Sequence, residues 1–247
     1  MTGGAPRRRA LAYAAAGIAA LVAASGCARL LTRPARVATH DATAIIAAGA
    51  ARERALAGLR LTLSVRATAG PPAARLAAPA YLAIDDADHL RLQVLSPFGP
   101  TVLDLATDAD AFTLRLPMRG ETRRGAIDVA ALAAGTTPED ERMIVALALL
   151  FRPKMDRRRC RAAGPAAVNC ALAADLTVTT TVDAALRPTR EDFLGPGGRP
   201  LFTAVFEDYG GAAGSALPGR ITISGDGGDG ALVIRVVKAR RPGESAA

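Results

Sequence analysis

The chain has no tryptophan, two histidines and three cysteines, and aromatic residues make up only 4% of it. Each shortage removes a class of function. His40 and His89 are not spaced to any cysteine as metal ligands would be, so a zinc centre lacks its donors. Two histidines also leave little for a catalytic triad, and neither G-x-S-x-G nor H-E-x-x-H occurs. So few aromatic rings offer no platform on which single-stranded bases would stack. Neither an enzyme, a metal, a cofactor nor a nucleic-acid partner is expected. The apolar run from Ala10 to Ala24 covers 15 residues, short of the roughly 20 that span a bilayer as a helix.

That run follows Arg7, Arg8 and Arg9 and ends in Ala24-Ser25-Gly26-Cys27. A charged start followed by an apolar stretch is the layout of an export signal. Small residues before a cysteine resemble the lipobox of bacterial lipoproteins, although Ala24 stands where that pattern usually has leucine. The resemblance implies a signal peptide at residues 1–26 and acylation, palmitate included, of Cys27 as the first mature residue. An ordinary secretory signal, with Cys27 incidental, is the alternative. Each buried methylene contributes about 0.8 kcal/mol, so several acyl chains anchor a protein stably. Ala28 is not the aspartate that, by the same resemblance, retains lipoproteins at the inner membrane. The expected location is therefore the periplasmic face of the outer membrane, lipid-anchored.

The remaining 221 residues suit one β-rich domain, and their 28 basic and 23 acidic side chains leave about +5. The basic residues are interspersed, which suits an anionic lipid surface better than a nucleic-acid groove. Arg157, Arg158, Arg159 and Arg161 are the densest cluster and read as a solvated hairpin edge. Cys160 and Cys170 bracket RAAGPAAVN, with Gly164-Pro165 as turn signal. In an oxidising compartment such a pair predicts a disulfide.

Residues 27–40 show no period and read as a lipidated tether, at most ~40 Å long when extended. Asp41 caps a predicted helix running to about Ala57, despite Gly49 in its middle. The period then changes to two: Leu61, Leu63 and Val65, then Leu90, Leu92 and Val94, then Leu103 and Leu105, then Phe112, Leu114 and Leu116. Thr137 and Pro138 open a second helix carrying Met143, Ile144, Leu147, Leu150 and Phe151, ended by Arg152-Pro153. Strands resume at Leu176 to Val182, Leu201 to Glu207, Arg220 to Ser224 and Ala231 to Val237. GDGGDG, residues 225–230, precedes a strand rather than a helix and reads as a hairpin turn, not a phosphate loop. The domain is placed at 41–241, with a tail at 242–247. Alternating strands close in sequence suggest a curved sheet or barrel.

The stretch LRLQVLSPFGPTVLDL, the strand AFTLRLP, the capped helix and the later strands together resemble the LolB family of outer-membrane lipoprotein receptors and the wider LolA-like superfamily. The resemblance implies a mainly β, α+β fold: an incomplete antiparallel β-barrel with helices as a lid over a hydrophobic cavity. Cavity residues would be Leu61, Leu63, Leu90, Leu92, Phe112, Leu114, Met143, Ile144, Leu147 and Phe151, with a filled core as the alternative for each. In the receptors the turn reads N-P-L-G-S, and its leucine protrudes toward the membrane. Here Pro97, Phe98 and Gly99 form that turn, with Phe98 in the protruding place or else folded back as a core plug. The implied partners are acylated lipoproteins or other lipids and a periplasmic carrier, and the protein is expected to be a monomer. The implied function is to accept acyl chains and insert them into the outer membrane; a lipid-binding or structural lipoprotein without transfer is the alternative. The absence of tryptophan and the cysteine pair depart from the family.

Overall fold

The computed structural model describes residues 39–68, 77–137, 139–210, 217–225 and 231–241. The predicted signal peptide, Cys27, most of the tether, Gly70-Pro71-Pro72, Pro138, the glycine-rich stretch after Gly225 and the tail lie outside the described residues.

Helix α1, Ala42–Leu56, begins where Asp41 Oδ1 accepts the Thr43 N–H at 3.2 Å. This satisfies one of the donors that a helix N-terminus leaves open. Gly58, at φ 78°, then turns the chain into the sheet, a conformation that favours glycine. Gly49 has a structural reason too. A Cβ there would stand 2.6 Å from Met155 Cγ, so the helix approaches the segment beneath it more closely than alanine would permit.

The strands are β1 (Leu59–Ala67), β2 (Ala78–Ile84), β3 (Leu90–Leu95), β4 (Thr101–Asp108), β5 (Ala111–Leu116) and β6 (Glu121–Ala126), then β7 (Cys160–Gly164), β8 (Ala167–Ala173), β9 (Leu176–Val182), β10 (Pro188–Leu194), β11 (Pro200–Glu207), β12 (Arg220–Gly225) and β13 (Ala231–Arg240). They form two antiparallel meanders, β1 to β6 and β7 to β13. Pairing of β1 with β13 merges both into one sheet of 13 strands, in the order β6-β5-β4-β3-β2-β1-β13-β12-β11-β10-β9-β8-β7. Because β6 and β7 remain as edges, the barrel is incomplete.

The chain between those edges forms α2 (Val129–Ala134) and α3 (Glu139–Phe151). Every residue from Ile144 to Leu150 is buried. A helical segment apolar on all sides must be enclosed on all sides, and this part of α3 packs into the core of the sheet. The strands show the matching alternation. In β9, Leu176, Val178, Thr180 and Val182 face inward while Thr177, Thr179 and Thr181 are half-buried.

Four elements escaped the periodicity: α2, β2, β6 and β10. Strand β6, ETRRGA, lies on an edge, where charged side chains replace alternation and discourage pairing with another chain. Gly125 in β6 leaves room for the Phe112 ring, which a Cβ would meet at 2.5 Å.

Candidate functional site

A cavity of about 80 Å³ lies between α1, the C-terminal end of α3 and the inner face of the sheet. Its apolar wall is built across the seam that joins the two meanders. Leu61 and Leu63 of β1 stand beside Leu82 of β2, Ile234 and Val236 of β13, and Ile221 of β12. The register sets them side by side, with Leu63 opposite Val236 and Leu61 opposite Leu82. Leu56 of α1 and Leu150 and Phe151 of α3 close the other side.

Three of the ten residues expected at a cavity line this one: Leu61, Leu63 and Phe151. The other seven lie elsewhere. Leu90, Leu92, Phe112, Leu114, Ile144 and Leu147 are buried and Met143 is half-buried, all in the continuous apolar core rather than on the cavity wall. They belong to the same continuous core as the apolar side chains of α3.

The cavity is not apolar throughout. Lys154, just beyond α3, directs Nζ to the carbonyls of Leu150 at 2.8 Å and Arg152 at 3.3 Å, satisfying acceptors that the helix end leaves open. The same Nζ lies 3.4 Å from Glu191 Oε2 on β10. Burial pushes the Glu191 carboxyl above its ordinary value, and the neighbouring Lys154 opposes that rise. Glu53 of α1 accepts the backbone N–H of Lys154 at 2.8 Å and that of Met155 at 3.2 Å, tying the helix to the segment under it. Arg52 donates to the Leu186 carbonyl at 2.6 Å, and burial lowers its pKa. Tyr209 donates to the Pro188 carbonyl at 2.7 Å; burial raises its pKa.

Sequence reasoning missed this polar group. Phe193 faces inward, and Glu191 two residues earlier must share its face. That period-two signal was present, but a carboxylate in the run TRED reads as solvated.

At one end of the sheet the connection between β3 and β4 holds Phe98 with 94% of its surface exposed. Ser96 N–H donates to the Pro100 carbonyl at 2.8 Å and Gly99 N–H to the Ser96 carbonyl at 3.0 Å, while Gly99 adopts φ 105°. This closed turn directs the ring outward, so Phe98 is no core plug. The β5–β6 connection lies at the same end, because consecutive antiparallel strands put alternate turns together. It exposes Met118, 69% accessible, between Pro117 and the exposed Arg119. Met118 had no sequence signal of its own.

Cys160 and Cys170 form a disulfide between directly opposed positions of β7 and β8. Cys170 Sγ lies 3.8 Å from Met155 Sδ, so the bond braces the strands beside the segment that Glu53 holds. No cluster of histidine, cysteine or acidic side chains suited to a metal occurs among the described residues, and none of their helices is long and apolar enough to cross a membrane.

The sequence matches no family model and no curated protein. Solved structures do match. A LolA superfamily protein from Nitrosomonas europaea superposes with a TM-score of 0.53 at 12% identity, over 83% of this chain and 96% of that one. The chain has the LolA-like fold. An outer membrane lipoprotein-sorting protein domain from Vibrio parahaemolyticus gives a TM-score of 0.54 at 10% identity, covering 82% and 93%. A DUF1329 family protein from Desulfovibrio piger gives 0.52 at 11% identity, covering 84% and 96%. In this LolA-like chain the cavity sits where the first and last strands meet, under α1.

Proposed function

We propose that this protein is a lipid-anchored envelope lipoprotein that accepts the acyl chains of lipoproteins in its cavity and inserts them into the outer membrane. The observation that carries the reading is the apolar cavity inside an incomplete barrel of LolA-like fold, covered by a helix that a few polar contacts hold down. At about 80 Å³ the space is well below the ~300–1,000 Å³ of an ordinary small-molecule pocket, so an acyl chain enters as the cover moves. Helix α1 is that cover. Its carboxylate latch, Glu53 on the amides of Lys154 and Met155, exchanges protein contacts for water at modest net cost.

No covalent chemistry is needed. Burial of hydrocarbon at ~25 cal/mol per Å² drives uptake from a periplasmic carrier, and the bilayer is the deeper final well. Phe98, with Met118 beside it, touches the membrane at release. Residues 1–26 act as the export signal, Cys27 as the lipid anchor, and residues 27–40 as the tether of a domain spanning 41–241.

Depletion of the protein, followed by a census of lipoproteins in the inner and outer membranes, tests the proposal. Lipoproteins stranded at the inner membrane or in the periplasm are the expected result. Normal distribution would reduce the protein to a lipid-binding lipoprotein without transfer.

A further inference from the structure

We propose that the floor of the cavity is a hydrogen-bonding subsite, formed by Thr180 and Glu191, for an acyl ligand whose first polar group is an uncharged hydrogen-bond donor, an amide or a hydroxyl. The inference rests on the acyl-binding reading above and specifies which acyl compounds the site prefers.

Thr180 of β9 and Glu191 of β10 are cross-strand partners, and both line the cavity. Their inward neighbours along and across the strands are apolar: Val178, Val182, Phe193 and Ala204. Two polar side chains at one level of an apolar wall need a reason, because a buried polar atom without a partner costs stability. Thr180 is 1% exposed and Glu191 5%, yet neither Thr180 Oγ1 nor Glu191 Oε2 has a hydrogen-bond partner in the protein. The approach of Lys154 Nζ to Oε2, at 3.4 Å, is longer than the ~2.7–2.9 Å of a charge-assisted hydrogen bond.

The other polar groups of the wall are committed. Arg52 is on the Leu186 carbonyl, Arg152 on Asp110 at 3.1 Å, Glu53 on two backbone amides and Tyr209 on the Pro188 carbonyl. Lys154 places two of its three donors on the end of α3, and the third faces Glu191 at 3.4 Å, which leaves the other lone pairs of the carboxylate open. What remains open is therefore acceptor capacity on Glu191 and a hydroxyl on Thr180 that both donates and accepts. A ligand N–H or O–H completes Glu191, and its own oxygen accepts from Thr180. A carboxylate would bring a second negative charge against Glu191, and an ester offers no donor.

The test is calorimetric titration of the full chain carrying Cys27→Ser with four probes of equal chain length: dodecanamide, dodecanol, methyl dodecanoate and dodecanoate. The amide, the alcohol or both should bind about tenfold tighter than the methyl ester, and dodecanoate no tighter than the ester. Which of the two leads distinguishes an N-acyl from a hydroxyl source. Thr180→Val removes the hydroxyl at nearly constant volume, and Glu191→Gln turns an N–H₂ toward the ligand while its oxygen faces Lys154. In each, the preference of donor probes over the ester should fall to about twofold, whereas Thr180→Ser keeps it. Equal binding of donor and donor-free probes by the unsubstituted side chains, as a water at the floor would produce, overturns the inference while leaving the acyl cavity intact. So does a preference that survives both Thr180→Val and Glu191→Gln. Binding of none of the four overturns the acyl-cavity reading and this inference with it.

Discussion

Lys154 and Glu191 face one another at 3.4 Å inside the barrel, with 5% and 7% of their side chains exposed. One belongs to the segment that leaves α3 and the other to β10, so the pair joins the helix end to the far half of the sheet. Removing one member of such a pair strands the other charge in a poorly solvated place.

Lys154→Met should destabilise the domain by about 3–5 kcal/mol at neutral pH. The loss should be smaller in acid. Burial raises the Glu191 pKa and Lys154 holds it down, so the substitution raises it further. A carboxyl whose folded pKa lies above its unfolded one favours folding fully below the unfolded value, and that contribution is lost as pH rises through the folded pKa. Urea unfolding of both proteins below pH 4 and at pH 7 measures the difference. A deficit equal at both pH values would show that only the bonds of Lys154 to the α3 carbonyls matter.

The Cys160–Cys170 bond closes a short loop and should contribute on the order of 2–3 kcal/mol. Cys160→Ala with Cys170→Ala should lower the unfolding midpoint accordingly while leaving the circular dichroism unchanged. Mass spectrometry of non-reduced peptides from envelope-purified protein should recover the two cysteines joined. Two free thiols would contradict the bond.

Phe98→Asp should leave the melting temperature nearly unchanged, within ~0.5 kcal/mol of stability, since an exposed side chain has little packing to lose. Delivery to liposomes should fall by an order of magnitude or more, because a charge at the acyl boundary meets up to ~2–4 kcal/mol at depth and less near the interface. Met118→Asp should add to the defect if both tips enter the same surface. Transfer at the unsubstituted rate in the double variant would rule out this end of the sheet as the membrane contact.

Cys27→Ser should yield a folded domain that fractionates away from membranes once the signal is removed. Tight membrane retention of the processed variant would refute acyl anchoring at that residue.

Much of the fold was legible in the sequence because its cause is local. Alternation at Leu61 and Leu63, at Leu90 and Leu92, and from Leu176 to Val182 follows from side chains pointing to opposite faces of a strand. The Asp41 cap and the outward turn at Phe98 depend on residues within a few positions of each other. The cavity does not. It exists because β1 pairs with β13, the first described strand with the last, and because Leu150 and Phe151 at the end of α3 close its other side. Its polar floor arises in the same way. Glu191 is buried by the position of β10 in the sheet and tolerated because Lys154 arrives from a distant helix end; the composition of TRED, read by itself, places that carboxylate in water. Periodicity reports which face of a strand a residue takes, whereas the surroundings of that face are set by long-range pairing and by what the helices fill.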